Sequence, residues 1–429
     1  MTEQRPRGGR LLKHRDFNLL WAGQTVSDLG SALSALILPL VAVIYLDATP
    51  FQVGVLAAAE WVPWLLIGLP AGVWVDRSRC RPVMLWCDVV RAVLLASVPI
   101  AAAFDALHLP QLIGVAFGTG VATVFFQVAY LSYLPALLGR EDLLEANTKL
   151  QGSQAVAQIG GPGLGGLLTQ LMRAPFALVV DAASYAVSAI SLLAMQFREP
   201  KREPAPRDLR REIAEGARYV ARDPLLRVLT IAPAVTNLFF TGVSSISVLF
   251  LVRSVHLDAG PVGVLMGVIS LGSVFGAAVA GAVGRAIGTS RALWLVTLVT
   301  APCGLLIPLT TKGAGLAFFV LGSVILLAGI LIYNVNISSF RQAYCPPEIL
   351  GRVISSMRFV LFGTIPMGAL AAGALASAIG IREAMWILLA GNCLGGVILW
   401  ASPLRTMRDL PLHPPGALLP DEAQAVPHT

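Results

Sequence analysis

Six charged residues stand away from the ends of apolar stretches of this chain that are long enough to cross a bilayer: Asp28, Glu60, Asp88, Arg91, Asp181 and Arg358. A charge at mid-bilayer costs about 2.5–3.5 kcal/mol on insertion scales, so each is a candidate for a functional role. Asp28 belongs to a polar stripe, Gln24, Ser27, Asp28, Ser31 and Ser34, recurring at three- and four-residue spacing on one helical face. A carboxylate on such a face can carry a proton, bind a cationic ligand, or be a structural acid satisfied by its neighbours. Glu60 stands beside Trp61, Pro63 and Trp64. An acid among aromatic rings suits an amphipathic cation, and it can equally pair with an arginine such as Arg358. Asp88 and Arg91 are spaced to neutralise each other as an ion pair near the inner gate, and Arg358, near the inner end of its span, is placed to pair with an acid or to close that gate. Asp181 shares a face with Ser184, Tyr185 and Ser188, which fits a cavity acid or the polar glue between packed helices. Gln127, Asn237 and Asn336 are further polar groups set in apolar runs, and with Gln24, Ser31 and Trp64 they are candidate cavity residues.

These groups need elements that hold them in an apolar setting, and the composition says which. Of 429 residues, 56% are hydrophobic and only 13% charged, against about 25% charged in an average soluble protein. The mean hydropathy is +0.75. So little charge cannot wet a globule of this size, which excludes a soluble enzyme and a secreted disulfide scaffold and points to lipid as the solvent. The 41 Gly and 28 Pro lie within apolar stretches, as transmembrane helices allow. The five cysteines (Cys80, Cys87, Cys303, Cys345, Cys393) and the five histidines are dispersed, with neither metal-ligand spacing nor a paired framework. No metal, cofactor or nucleophile–base pair is expected. The first 18 residues are basic and polar without a short apolar core, so no cleavable signal is expected.

Twelve apolar runs of membrane-crossing length follow one another, at about 19–45, 52–75, 83–104, 110–134, 145–172, 175–197, 226–252, 260–284, 291–311, 314–340, 353–379 and 383–402. The fifth begins with the polar residues Glu145, Asn147, Lys149 and Gln151. Helices are expected, since an open strand edge does not survive in lipid. With the N-terminus inside, 25 Lys and Arg fall in the inner segments and four (Arg173, Arg253, Lys312, Arg382) in the outer loops. The positive-inside rule therefore places both termini in the cytoplasm, and the net charge of +7 reflects topology rather than nucleic-acid binding.

The polar segment from Arg198 to Asp223 divides the chain into residues 1–197 and 224–402, six spans each, with a tail at 403–429. It is Pro-rich and then helix-compatible and charged, as a linker with an amphipathic helix on the inner leaflet would be. The halves look like copies. Pro135-Ala-Leu-Leu-Gly-Arg140 follows the fourth span and Pro347-Glu-Ile-Leu-Gly-Arg352 the tenth; Arg15-Asp16 and Arg222-Asp223 precede the first and seventh; Asp28 has a counterpart in Asn237. Repeated halves of this kind are a transporter architecture, with the path at their interface.

Between the second and third spans stands Gly72-Val-Trp-Val-Asp76-Arg77-Ser-Arg79-Cys80-Arg81. It resembles the G-x-x-x-D-R-x-G-R-(R/K) loop of the major facilitator superfamily: Gly72, Asp76, Arg77 and Arg81 match, and Arg79 and Cys80 depart. The resemblance implies a conformational latch in which Asp76 caps a neighbouring helix and the basic residues pair with acids; a basic loop is also expected here on topology alone. The fifth span carries Gly161-Pro162-Gly163-Leu164-Gly165-Gly166, which is similar to the G-P-x-x-G-G core of the exporters' antiporter signature, with Leu150 and Ala157 in place of its upstream glycines. Small-residue packing explains the same glycines. No Gly-Lys-Ser/Thr follows, so they form no phosphate loop and no ATP-driven pump is indicated.

With RDFNLLWAG, DVVRA and VVDAASYAVSA, the chain resembles drug:proton antiporters of the macrolide-efflux and siderophore-export branch over nearly all of its length to about residue 402. The resemblance implies an all-α integral membrane protein with twelve transmembrane helices in two pseudo-symmetric six-helix halves. It also implies a monomer in the cytoplasmic membrane that exchanges protons for bulky amphipathic compounds. The fourth span lacks the arginine that many such antiporters use for coupling; its polar residues are Thr119, Thr123, Gln127, Tyr130, Ser132 and Tyr133. The rival expectations are a dedicated exporter of an endogenous siderophore or lysolipid, a transport-inactive receptor or scaffold, and a membrane enzyme.

Overall fold

The computed structural model describes residues 11–139, 141–197, 199 and 209–411. Apolar runs bounded by caps become helices, because a segment in lipid must satisfy its backbone hydrogen bonds internally. The amino-terminal half comprises α1 (Arg15–Leu40), α2 (Pro50–Asp76), α3 (Cys80–Ala103), α4 (Leu109–Leu137), α5 (Leu143–Leu171) and α6 (Ala174–Ala194). A charged amphipathic helix, α7 (Leu209–Arg222), leads to the second half: α8 (Pro224–Leu249), α9 (Ala259–Ile287), α10 (Thr289–Cys303), α11 (Leu316–Tyr344), α12 (Pro347–Ile379) and α13 (Ile381–Trp400). Among the described residues, eleven helices are long and apolar enough to cross a membrane. The long helix outside that set is α5, whose 29 residues span about 43 Å at 1.5 Å per residue. Part of its polar beginning is held by neighbours. Lys149 pairs with Glu145 at 3.0 Å and lies over the Trp21 ring, and Ser153 accepts from the Trp21 indole at 3.1 Å.

The copying of the halves extends to their fine structure. α1 runs into a π-helical turn, Val41–Tyr45, and α8 into another, Phe250–Ser254. Each is followed at the same distance by a residue of positive φ, Asp47 at 46° and His256 at 60°. Asp28 and Asn237 fall at the same offset, as the sequence repeat anticipates. The tight turns into α2 and α8 are closed by side chains: Thr49 and Gln52 form a reciprocal capping box, and Asp223 accepts from the Leu225 and Leu226 amides at 2.9 Å.

Two seams join the halves, α2 against α12 and α5 against α9. Both are tightest at the end of the bundle away from the termini. Gly54 lies against the backbone of Ala369 and Gly373, and Gly166 against Gly263. The Phe51 amide donates to Ser377 Oγ at 3.0 Å, and Arg253 reaches Asp47 at 2.5 Å between the two equivalent loops.

Candidate functional site

The intramembrane charges separate into those that are satisfied and those that are not. Asp88 is 0% exposed and pairs with Arg91 at 2.5 Å, while Ser188 donates to its other oxygen at 2.7 Å. The Arg91 guanidinium lies between the rings of Phe126 and Tyr185, 4.4 and 4.3 Å from their centroids. The pair therefore sits inside the amino-terminal bundle, joining α3, α4 and α6. An arginine thus reaches the Phe126 side of α4 even though α4 has none of its own. Asp181 is equally held: Ser34 of α1 donates to one oxygen and Ser184 to the other. Ser31 bonds the Tyr185 hydroxyl at 2.8 Å. Ser31 and Ser34 of the α1 stripe thus bond α6, which gives those two polar positions a packing role.

Asp28 is half-buried and takes one hydrogen bond, from Gln24 at 2.8 Å. Glu60 is different. Among the described residues it has no hydrogen bond or ion pair, and its side chain is open to a cavity of about 400 Å³ walled by both halves. Trp61, Pro162, Phe240, Ser244 and Ser270 line the same space. Phe362 of α12 packs on Trp61 and Trp64, with centroids 6.2 and 5.2 Å away, so the aromatic cluster beside Glu60 spans the α2–α12 seam. Arg358 is exposed and unpaired among the described residues, so the Glu60–Arg358 pairing open in the sequence is not made.

The remaining candidates are dispersed. Gln127 is half-buried on α4. Asn237 donates to the Leu361 carbonyl at 3.0 Å and to Thr364 at 3.1 Å, at the wall of a second cavity within the carboxyl-terminal half. Asn336 bonds the carbonyls of Ile332 and Ala280, so it bridges α11 and α9 and lines neither of the two cavities. In the α2–α3 loop, the Asp76 side chain lies outside the described residues, and Gly72 meets nothing that would require a glycine. Arg77 is exposed. Arg81 donates to the Leu192 and Leu193 carbonyls at 2.9 and 3.0 Å, capping α6. The α3 amides of Cys80 and Arg81 go to Glu199 at 2.7 and 2.8 Å. Helix capping by an acid therefore occurs at this loop, through Glu199, which the sequence motif does not contain. In the α5 motif, Gly161 abuts Ala32 of α1, Gly165 faces Leu33, and Gly166 meets Gly263 of α9. Its glycines make both a packing surface within one half and the seam between halves.

Sequence reasoning passed over Asn392, Tyr333 and Arg341, which line the carboxyl-terminal cavity. Asn392 lies in Gly391-Asn392-Cys393, a polar residue in an apolar run, and the test that selected Asn237 would have found it.

Comparison with known proteins agrees with this architecture. The model of the family described as transmembrane secretion effector matches residues 11–425. Macrolide efflux protein A of Streptococcus pyogenes is 25% identical over 410 residues, 92% of this chain and 97% of its own length. The multidrug efflux pump Tap of Mycolicibacterium fortuitum is 28% identical over 387 residues, 85% of this chain and 90% of Tap. Among solved structures, the nucleoside transporter NupG superposes with a TM-score of 0.74 at 12% identity, covering 90% of this chain and 98% of NupG. A bacterial homolog of the human lysosomal transporter Spinster, inward-facing, gives 0.69 at 15% identity, covering 93% and 98%. These two likenesses carry the fold. With its two repeated halves, the cavity between them and this family match, the chain belongs to the transmembrane secretion effector family of major facilitator transporters and is not an enzyme.

Proposed function

We propose that the chain is a proton-driven exporter of bulky amphipathic compounds, with both termini in the cytoplasm of a cell whose inner membrane it spans. The observation that carries this reading is the Glu60 carboxylate, unpartnered among the described residues and open to a cavity formed by both halves beside Trp61 and Phe240. A carboxylate with aromatic neighbours attracts an amphipathic cation, and the same group can exchange that cation for a proton. The efflux names of the relatives support an export direction, and macrolides are the compounds to try first. Alternating access would rock the halves about the cavity. Closure at the end away from the termini then corresponds to an inward-facing state. Asp28, with one neutral partner, is the second site where a proton can reside.

The test is accumulation of a radiolabelled macrolide in cells with and without the protein, followed by uptake into proteoliposomes under an imposed pH gradient. Lower accumulation that a protonophore reverses is expected. Equal accumulation, or efflux indifferent to the protonophore, overturns the proposal. Glu60→Gln should lower export of a cationic substrate about tenfold or more while sparing a neutral one.

A further inference from the structure

The carboxyl-terminal half holds its own cavity, of about 290 Å³, bounded by α8, α10, α11, α12 and α13, and the exporter reading leaves it without a role. Phe240 and Leu326 wall both this space and the inter-half cavity, so the two chambers share a partition. At its wall stands Asn392, 0% exposed, with neither its amide nitrogen nor its carbonyl oxygen hydrogen-bonded among the described residues. The hydroxyl of Tyr333, a residue 8% exposed, is likewise without a partner. Native proteins seldom leave buried polar atoms unmatched, because each loses water without recompense. The Arg341 Nε is a third unmatched group on the same lining, a donor that a hydroxyl or ether oxygen can satisfy. Three such side chains at one cavity point to an occupant that supplies the missing bonds.

The lining describes that occupant. It holds no Asp or Glu, and its one charged residue is Arg341, so a cation finds no counter-charge there. Asn392 offers both a donor and an acceptor, and Tyr333 offers a hydroxyl that can do either. The hydroxyls of Thr297 and Thr300 donate to their own helix at 2.7 and 2.8 Å, which leaves their lone pairs as acceptors. Phe240 and Phe362 supply flat apolar faces, and the volume suits one ring rather than a whole bulky drug. We infer that this cavity is a subsite for an uncharged, hydroxyl-bearing ring of the transported compound, read by Asn392 and Tyr333. The cationic end of the same molecule lies across the Phe240 partition at Glu60. This rests on the exporter reading for its biological use, but its binding chemistry is testable apart from it.

The experiment measures the thermal unfolding midpoint of the purified full-length chain in nanodiscs, titrated with methyl glucoside as the neutral ring and glucosamine as the same ring carrying a cation. Wild type should be stabilised saturably by methyl glucoside and not by glucosamine. Tyr333→Phe, which removes one oxygen, and Asn392→Leu should each weaken the apparent affinity about tenfold or more. Any general effect of sugar on protein stability is common to all three proteins, so their difference is the readout. No saturable shift in wild type means that the cavity holds only water and overturns the inference, as does a shift of equal size in both variants or with glucosamine. Macrolide export without methyl glucoside binding removes the subsite and leaves the exporter reading standing. Methyl glucoside binding without macrolide export keeps the subsite and removes macrolides as the substrate.

Discussion

The four intramembrane carboxylates of the amino-terminal half, Asp28, Glu60, Asp88 and Asp181, differ in what removing them would cost, and the difference follows from their partners. Asp88 neutralises Arg91 and is bonded by Ser188, so its loss strands a guanidinium inside the bundle. Breaking one side of such a pair costs about 3–5 kcal/mol. Asp88→Asn is therefore expected to lower the unfolding midpoint sharply, and a second change, Arg91→Gln, should recover much of the loss. A double variant as unstable as the single one would show that the pair is not the cause. Glu60→Gln strands nothing among the described residues, so its midpoint should stay at that of wild type while cation export falls. Asp28→Asn lies between, because Gln24 can still donate to the remaining oxygen. It should abolish uphill export in a pH gradient yet retain downhill exchange, both read in proteoliposomes. Full uphill transport by this variant removes Asp28 from the proton path.

At the scale of elements, the seams between halves meet through glycine on backbone at the end away from the termini. A Cβ at Gly166 would stand 2.7 Å from the Gly263 Cα and 2.9 Å from the Ala259 carbonyl oxygen, neither of which can rotate away. Gly166→Val should thus push α5 off α9 at the end away from the termini. Expression should persist while export falls, and with Ser245→Cys added in the cavity wall, the new thiol should be alkylated faster from that end. Gly152→Val, where nothing lies within 4 Å, is the control; an equal effect of both would dismiss the seam. The helices themselves were legible in the sequence because lipid imposes length and apolarity on every span. The repeat was legible too, since both halves keep equivalent turns. The sequence could not tell a satisfied acid from a free one: Asp181 and Glu60 look alike until Ser34 and Ser184 are seen to close on the first. Nor could the motif at the α2–α3 loop reveal Glu199, which caps α3 from beyond α6 and follows no local spacing rule. Asn336 misled for the opposite reason, since polar residues in apolar helices serve packing as often as cavities.

For the whole molecule, transport by alternating access requires the far end to open and the seams there to part. That end is closed by tight glycine contacts, by the Phe51 amide on Ser377, and by Arg253 on Asp47. The last of these is weak as a lock, because the Asp47 side chain is 93% exposed and exposed pairs contribute about 0–1 kcal/mol. Asp47→Asn should consequently change export less than about fivefold. A covalent closure is another matter. The 3.0 Å bond from the Phe51 amide to Ser377 Oγ brings α2 and α12 within reach of a disulfide, whose Cα atoms usually lie about 4.4–6.8 Å apart. In a background lacking the five native cysteines, Phe51→Cys with Ser377→Cys should cross-link on oxidation and stop export, and reduction should restore it. In an inward-facing state the cross-linked chain should still bind substrate from the side of the termini. The same pair settles orientation: a membrane-impermeant thiol reagent added outside intact cells should reach the Phe51→Cys thiol before oxidation, whereas labels at the termini should stay protected. Reaction only from the cytoplasm would invert the topology and turn the closed end inward. Export that continues through an oxidised, cross-linked seam would mean that the halves need not part there, and alternating access about this cavity would fall with it.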